Sequence, residues 1–462
     1  MRAIARTPAL NILLIGLILG LEIVVALMAN LEYKYAFVIG GGILVIALAL
    51  IKLQWLAPLQ VFSLFVFGIS LGGFLFGNIR IFHLVTVFLT LYWVFYVLVW
   101  QKERFFLPNP IVLPILLTLG WITLTIMWSP DLQTAIYRWI KVTLVLLGAL
   151  MFINITKNRS HDHRAIWYWV FSGVLGGVVS YYAWLTMGET LYETWFAHQN
   201  VLSAMMNACA FLSLGMAILT RRRLYRWASI LTLIFALGMN LNTGCRGGLL
   251  SLMAGAIVFV ILGIFNSKIG RKFPISLTTL FLIGVALFGI ALSRMESLVL
   301  FASGRSFDVL NPMASDTFVW RLETFRIALD LLNENLAWVW GMGVGAWEHL
   351  QEYYVKNPWG TFIHNYYINF FFQYGLIGMV LMVWLFVAVF SQIVRGYRWF
   401  ADFRTRWFLN CLVAMYVTLA VHGLVSIEEA NAYIWILFAT TSVFVDYLKK
   451  QHELGLPSNS KI

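Results

Sequence analysis

The fold class this sequence predicts is all-α, a polytopic transmembrane helical bundle of about fourteen spans with one long, partly helical external loop. Composition is the first ground for it. Of 462 residues, 61% are hydrophobic and 11% charged, and the mean hydropathy is +0.83. Soluble domains carry roughly 25% charged residues, so this chain has too little polar surface to face water. The second ground is that apolar residues come in runs of about 20, the length a helix needs to cross a bilayer. The third is the set of 20 Trp and 19 Tyr, whose apolar rings with polar tips suit many membrane–water boundaries.

In chain order the runs lie near 9–29, 35–52, 57–76, 80–100, 111–128, 139–155, 165–185, 201–219, 228–242, 247–265, 275–293, 364–391, 407–425 and 433–447. The first is longer than the usual h-region of a signal peptide and lacks a good cleavage pattern, so it reads as a span. The ninth and tenth form a tight hairpin around "NTGCRGG". Lys and Arg in short loops set the orientation. With a cytoplasmic N-terminus, "MRAIAR", Lys52, Lys102, "RRRLYR", Lys268, Arg395, Arg404 and Lys449 all fall inside, and most acids fall outside. Both termini are then cytoplasmic, and the net charge of +12 is a topology signal with no nucleic-acid partner implied. The chain divides into spans one to eleven (1–293), an external loop domain (294–363), the last three spans (364–447) and a cytoplasmic tail (448–462). Cys209, Cys245 and Cys411 are isolated, form no C-x-x-C pair, and read as small core residues.

The external loop has structure of its own. "SDTFVWRLETFRIALDLLNEN" opens on Ser315 or Asp316 as an N-cap, repeats apolar residues at helical spacing, and ends at Asn333 and Asn335. "AWEHLQEYYVK" reads as a second, short helix. The intervening "WGMGVGAW" has no preceding strand and its glycines are misplaced for a dinucleotide fingerprint. It reads as a tight connection packed over the bundle. The whole loop reads as a cap on the outer face.

Three external polar groups are candidates for chemistry. His364 stands where "WGTFIHNYYINFFF" passes from loop to span. It either hydrogen-bonds loop backbone at a helix start or acts as a general base, the role its near-neutral titration suits. Asn365 and Tyr367 follow it, placed to orient it or to contact substrate, although Tyr367 also reads as a boundary aromatic. Arg246 lies between two apolar runs, where an arginine at full membrane depth costs about 2.5–3.5 kcal/mol. It faces a polar cavity or an anion, or else snorkels to headgroups. Arg321 and Arg326 are about 140° apart on a helical wheel. Arg321, between Trp320 and Leu322, turns toward the membrane mouth, and Arg326 toward solvent, Glu323 or Asp330. Arginine's planar fork suits phosphate oxygens. No D-x-D, H-E-x-x-H or Cys/His cluster occurs, so no metal site or cofactor is expected.

At these residues the chain resembles the O-antigen ligase/O-antigen polymerase superfamily of bacterial membrane glycosyltransferases. "MWSPDLQTAIYRWIKV" is similar to the family's W-S-x-D loop, "FAHQNVLSAMM" to its asparagine-containing helix start, and "NTGCRGGLLSL" to its S-R-G-G-like element, with Cys245 where a serine is common. "WRLETFRIAL", "GMGVGAW" and "HNYYINFFFQYGLIG" resemble its arginine loop, Gly-x-Gly and His-Asn signature. The resemblance spans about residues 120–425. It implies a metal-independent enzyme of the inner membrane that moves a glycan from an undecaprenyl-diphosphate carrier to an acceptor hydroxyl on the periplasmic face, as in lipopolysaccharide assembly. His364 matches the catalytic histidine, and Arg246 and Arg321 the arginines that hold the diphosphate. Arg138, His198, Asn200 and Asn365 are secondary candidates, also readable as boundary residues. Fourteen spans exceed the twelve expected of the ligases. The acceptor (lipid A-core, a second lipid-linked repeat or a protein) separates ligase from polymerase from protein glycosylation, and the sequence does not name it. A small-anion transporter is the reading from another class. It would need discontinuous helices in corresponding halves, and no internal symmetry is visible.

Overall fold

A computed structural model of the chain describes residues 56–65, 81–95, 109–156, 164–187, 199–243, 245–266, 316–354, 363–400, 402–424 and 432–455. Among these residues there is no strand. The helices are α1 (Leu56–Phe65), α2 (Ile81–Phe95), α3 (Val112–Leu124, continued by a 3-10 turn Thr125–Trp128), α4 (Leu132–Thr156) and α5 (Ala165–Met187). They continue with α6 (Gln199–Leu219), α7 (Arg223–Asn242), α8 (Arg246–Asn266), α9 (Asp316–Glu334), α10 (Ala346–Tyr354), α11 (Tyr366–Trp399), α12 (Phe403–Gly423) and α13 (Ala432–Glu453). Apolar runs form helices because in lipid each backbone polar group must be satisfied within its own segment. By length and composition, α4, α6, α7, α8 and α11 could each cross a membrane. The expected spans at 9–29, 35–52 and 275–293 lie outside the described residues.

The bundle is built around α6. In its most apolar window 94% of the residues are buried, against 28% for α7 at the periphery. Helices α7 and α12 run along α6, α5 flanks it, α8 lies along α12, and α11 packs against α3, α12 and α13. The hairpin expected at "NTGCRGG" differs in one respect: its turn is tight, but its arms splay. α7 follows α6 while α8 follows α12. Small residues allow this. A Cβ on Gly255 would lie 1.9 Å from Thr418 Oγ1 of α12, so only glycine lets those two helices approach so closely.

The loop elements carry a second apolar cluster. Ala328, Leu331 and Leu332 of α9 pack with Ala346 and Trp347 of α10 and with Ile363 and Phe372 around the start of α11. Asn335 ends α9 by turning its side-chain amide back to donate to Leu331 O at 2.8 Å.

The turn 341–345 then locks into a break in α11. At Gly375 the backbone takes φ 63°, ψ −166°, which interrupts the helix. The groups freed there are taken up one by one. Met342 N donates to Phe372 O at 2.8 Å, Gly343 N to Gln373 O at 3.0 Å, and Trp121 Nε1 to Tyr374 O at 2.9 Å. On the other side of the break Leu376 N donates to Trp338 O at 2.9 Å and Ile377 N to Val339 O at 3.2 Å. The close approach requires glycine at both faces, since a Cβ on Gly375 would lie 2.4 Å from Gly341 N and from Val339 O.

Candidate active site

The site begins at the entrance to α11. Asn365 caps the helix, its Oδ1 accepting from Tyr367 N and Ile368 N, both at 3.0 Å, which satisfies two amides the first turn leaves open. Asn365 is buried and used in this way, so it acts on His364 through the backbone it fixes. His364, half-buried, meets the edge of Trp320 from α9, with ring centroids 5.3 Å apart at 79°. The α9 helix is thereby placed against the mouth of α11.

Trp320 brings its neighbour with it. Arg321 turns inward and is mostly buried, and its Nε, shielded from solvent, has no hydrogen-bond partner among the described residues. Burial pushes its guanidinium below the ordinary arginine range, and the nearby Cys245 sulfur acts in the opposite direction. Arg321 therefore lies near Cys245, just before the start of α8. Arg326, by contrast, is exposed, with its Nε 3.6 Å from Asp330 Oδ2.

Cys245 organises that turn. Its Sγ accepts from Gly248 N at 3.3 Å, the capping contact a serine oxygen would make three residues into a helix, and it reaches Asn200 Oδ1 at 3.0 Å. Asn200, buried at the start of α6, is thus tied to the helix that Arg246 opens. The amino end of α8 carries partial positive charge from its open N–H groups. Arg321 thus lies near the start of a helix whose first residue is Arg246, and a helix end beside a guanidinium suits a small anion.

Below the turn a polar chain runs into the bundle. Ser203 Oγ donates to Asn240 Oδ1, Asn240 Nδ2 to Asn207 Oδ1 at 2.6 Å, and Asn207 Nδ2 to Gly248 O at 2.9 Å and Ser251 Oγ at 3.2 Å. Ser251 Oγ lies 3.5 Å from His422 Nδ1. All five residues are buried. The chain joins α6, α7, α8 and α12, fixing the depth and rotation at which Arg246 emerges.

Arg138 is placed differently. On α4 it forms a short, largely buried ion pair with Glu348 of α10, which anchors that loop helix to the bundle. His198 lies outside the described residues. Among the described residues, no three His, Cys, Asp or Glu side chains gather into a metal-binding group. Sequence reading missed Trp320 as the ring against His364, and Asn207, Asn240 and His422. One signal was present: Asn200, Ser203 and Asn207 recur along one face of an otherwise apolar helix.

No curated protein matches the chain. Residues 231–383, from within α7 to within α11, match the family model described as O-antigen ligase, and over that third of the chain the protein is similar to that family.

Proposed function

We propose that the protein transfers a glycan from an undecaprenyl-diphosphate carrier to an acceptor hydroxyl on the periplasmic face, without a metal, in an O-antigen ligase-type reaction. The observation that carries this reading is the partly buried Arg321, whose Nε has no hydrogen-bond partner among the described residues, near Cys245 at the start of α8. In water-excluded surroundings, preorganised donors of this kind stabilise charge as it develops on a leaving group. The acceptor oxygen attacks the anomeric carbon and forms the new C–O bond. The bond from that carbon to the diphosphate oxygen breaks, and the diphosphate leaves with the electron pair, its charge held by Arg246 and Arg321. The acceptor's proton passes to His364, which releases it to solvent afterwards. A single displacement of this kind inverts the anomeric configuration. Asn365 holds His364 through the helix cap, and Asn200 holds Arg246 through Cys245.

The test is transfer by the purified protein from an undecaprenyl-diphosphate-linked glycan in EDTA, offered lipid A-core, a second lipid-linked repeat and a peptide. Inverted product formed in EDTA, and lost in His364→Ala and Arg321→Ala while both variants stay folded, is the expected result. The acceptor used assigns ligase, polymerase or protein glycosylation. Full activity in His364→Ala removes its role as base.

A further inference from the structure

A second arginine cluster lies at the other end of the same three helices. Helix α6 runs from Asn200 to Leu219, about 30 Å at 1.5 Å per residue. Where it ends, Arg221 leads into α7, Arg226 follows in the first turns of α7, and Arg404 sits in the first turn of α12. These helices both pack on α6, which brings the arginines together. Burial and the nearby guanidinium groups of Arg226 and Arg221 all push Arg404 below the ordinary arginine range, and Asp402 opposes them only weakly.

Bulk surface charge does not account for this arrangement. Topology signals need only basic residues in a loop, whereas Arg226 and Arg404 are partly withdrawn from water, Arg221 is exposed beside them, and the three lie near each other. Arg226 Nη2 donates to Thr220 O at 3.1 Å, but its Nε is buried without a partner, as is Arg404 Nη1. None of the three forms an ion pair among the described residues. Asp402, the acid that acts on Arg404, spends Oδ2 on capping α12, accepting from Thr405 N at 3.0 Å and Thr405 Oγ1 at 2.8 Å. Two helix starts add positive potential where cations are already crowded. Bifurcated, buried N–H groups at such a spot match phosphate oxygens.

What lies beside the cluster indicates the rest of the ligand. From Leu224 the exposed face of α7 continues as Trp227, Leu231 and Ile234, at 78%, 62%, 64% and 62% exposure, spaced three or four residues apart. Arg223 heads that stripe, four residues before Trp227. A phosphate seated on the arginines would have an apolar strip running away from it down the bundle side, the layout of a headgroup and its acyl chains.

We propose that Arg221, Arg226 and Arg404 form a phosphate-binding site for an anionic phospholipid, its chains lying along Leu224, Trp227, Leu231 and Ile234, about 30 Å from the candidate active site. The site is independent of the proposed transfer reaction.

The experiment is native mass spectrometry of the delipidated, purified full chain, titrated with phosphatidylglycerol, phosphatidylcholine or inorganic phosphate. Wild type is compared with Arg226→Gln/Arg404→Gln and with Arg395→Gln/Arg398→Gln, which removes two exposed charges elsewhere on the chain. Phosphatidylglycerol is expected to bind wild type and the second variant alike, and the first about tenfold or more weaker, at roughly a factor of five per arginine. Arg404→Lys, which keeps the charge and loses the fork, is expected to fall between them and guards against misfolding of the double variant. Equal weakening in both double variants, or equal binding of phosphatidylcholine, overturns the site. Saturation by inorganic phosphate with no preference for the lipid overturns the lipid assignment.

Discussion

Two glycine-bearing turns in this molecule put their backbones to opposite uses. At 341–345 nearly every group is committed. Glycines at φ 76°, 97° and 76° press against Ser129, Thr134 and Gln373, and the amides close the break at Gly375. At the start of α8 the backbone is held by Cys245, Asn200, Asn207 and Ser251, while Arg321, near Cys245, keeps an Nε without a partner among the described residues. One turn uses its polar capacity to hold the loop helices on the bundle. The other lies near an Arg321 Nε without a partner among the described residues, and that is where ligand chemistry is to be sought.

The largest expected effect comes from the closed turn. Gly375→Ala adds a strained φ to a backbone clash, at about 4 kcal/mol together. The folded, detergent-stable yield should collapse. A near-normal melting temperature would show that the break is not locked by this contact. The open turn should respond in the opposite manner. Arg321→Ala is expected to cut transfer about 10²–10³-fold with a melting temperature within a few degrees of wild type, because no acceptor among the described residues loses a partner. A large loss of stability would make Arg321 structural.

Next comes the anchor of the closed region. Arg138→Met leaves the mostly buried Glu348 carboxylate unpaired, and is expected to cost about 2–3 kcal/mol by thermal unfolding. Arg138→Met/Glu348→Met should recover most of it. If the double variant is as unstable as the single one, the pair is not the anchor. The smallest effect is assigned to Arg326→Ala, whose exposed contact with Asp330 is worth at most about 0.5 kcal/mol. Both stability and transfer should stay near wild type.

Much of this contrast could be read from the chain. Helical spacing placed α9 and α10, and the 140° between Arg321 and Arg326 separated the buried arginine from the exposed one. Local geometry decides such features, so sequence carries them. What stayed hidden depends on distant partners. Arg138 gives no sign that Glu348, far along the chain, neutralises it. "QYGLIG" contains Gly375 and Gly378, and only the first breaks α11, because Gly341 and Val339 press on it. The splay of α7 from α8 follows from Gly255 meeting Thr418, a contact between helices that no single stretch encodes.

The central claim is that Arg321, with Arg246 at the start of α8, holds the diphosphate. It is tested most directly by binding undecaprenyl diphosphate, without glycan or acceptor, to the purified wild-type protein, Arg321→Ala and Arg326→Ala. The expected result is tight binding to wild type and Arg326→Ala and a loss of about tenfold or more in Arg321→Ala. Equal binding by all three proteins would contradict it.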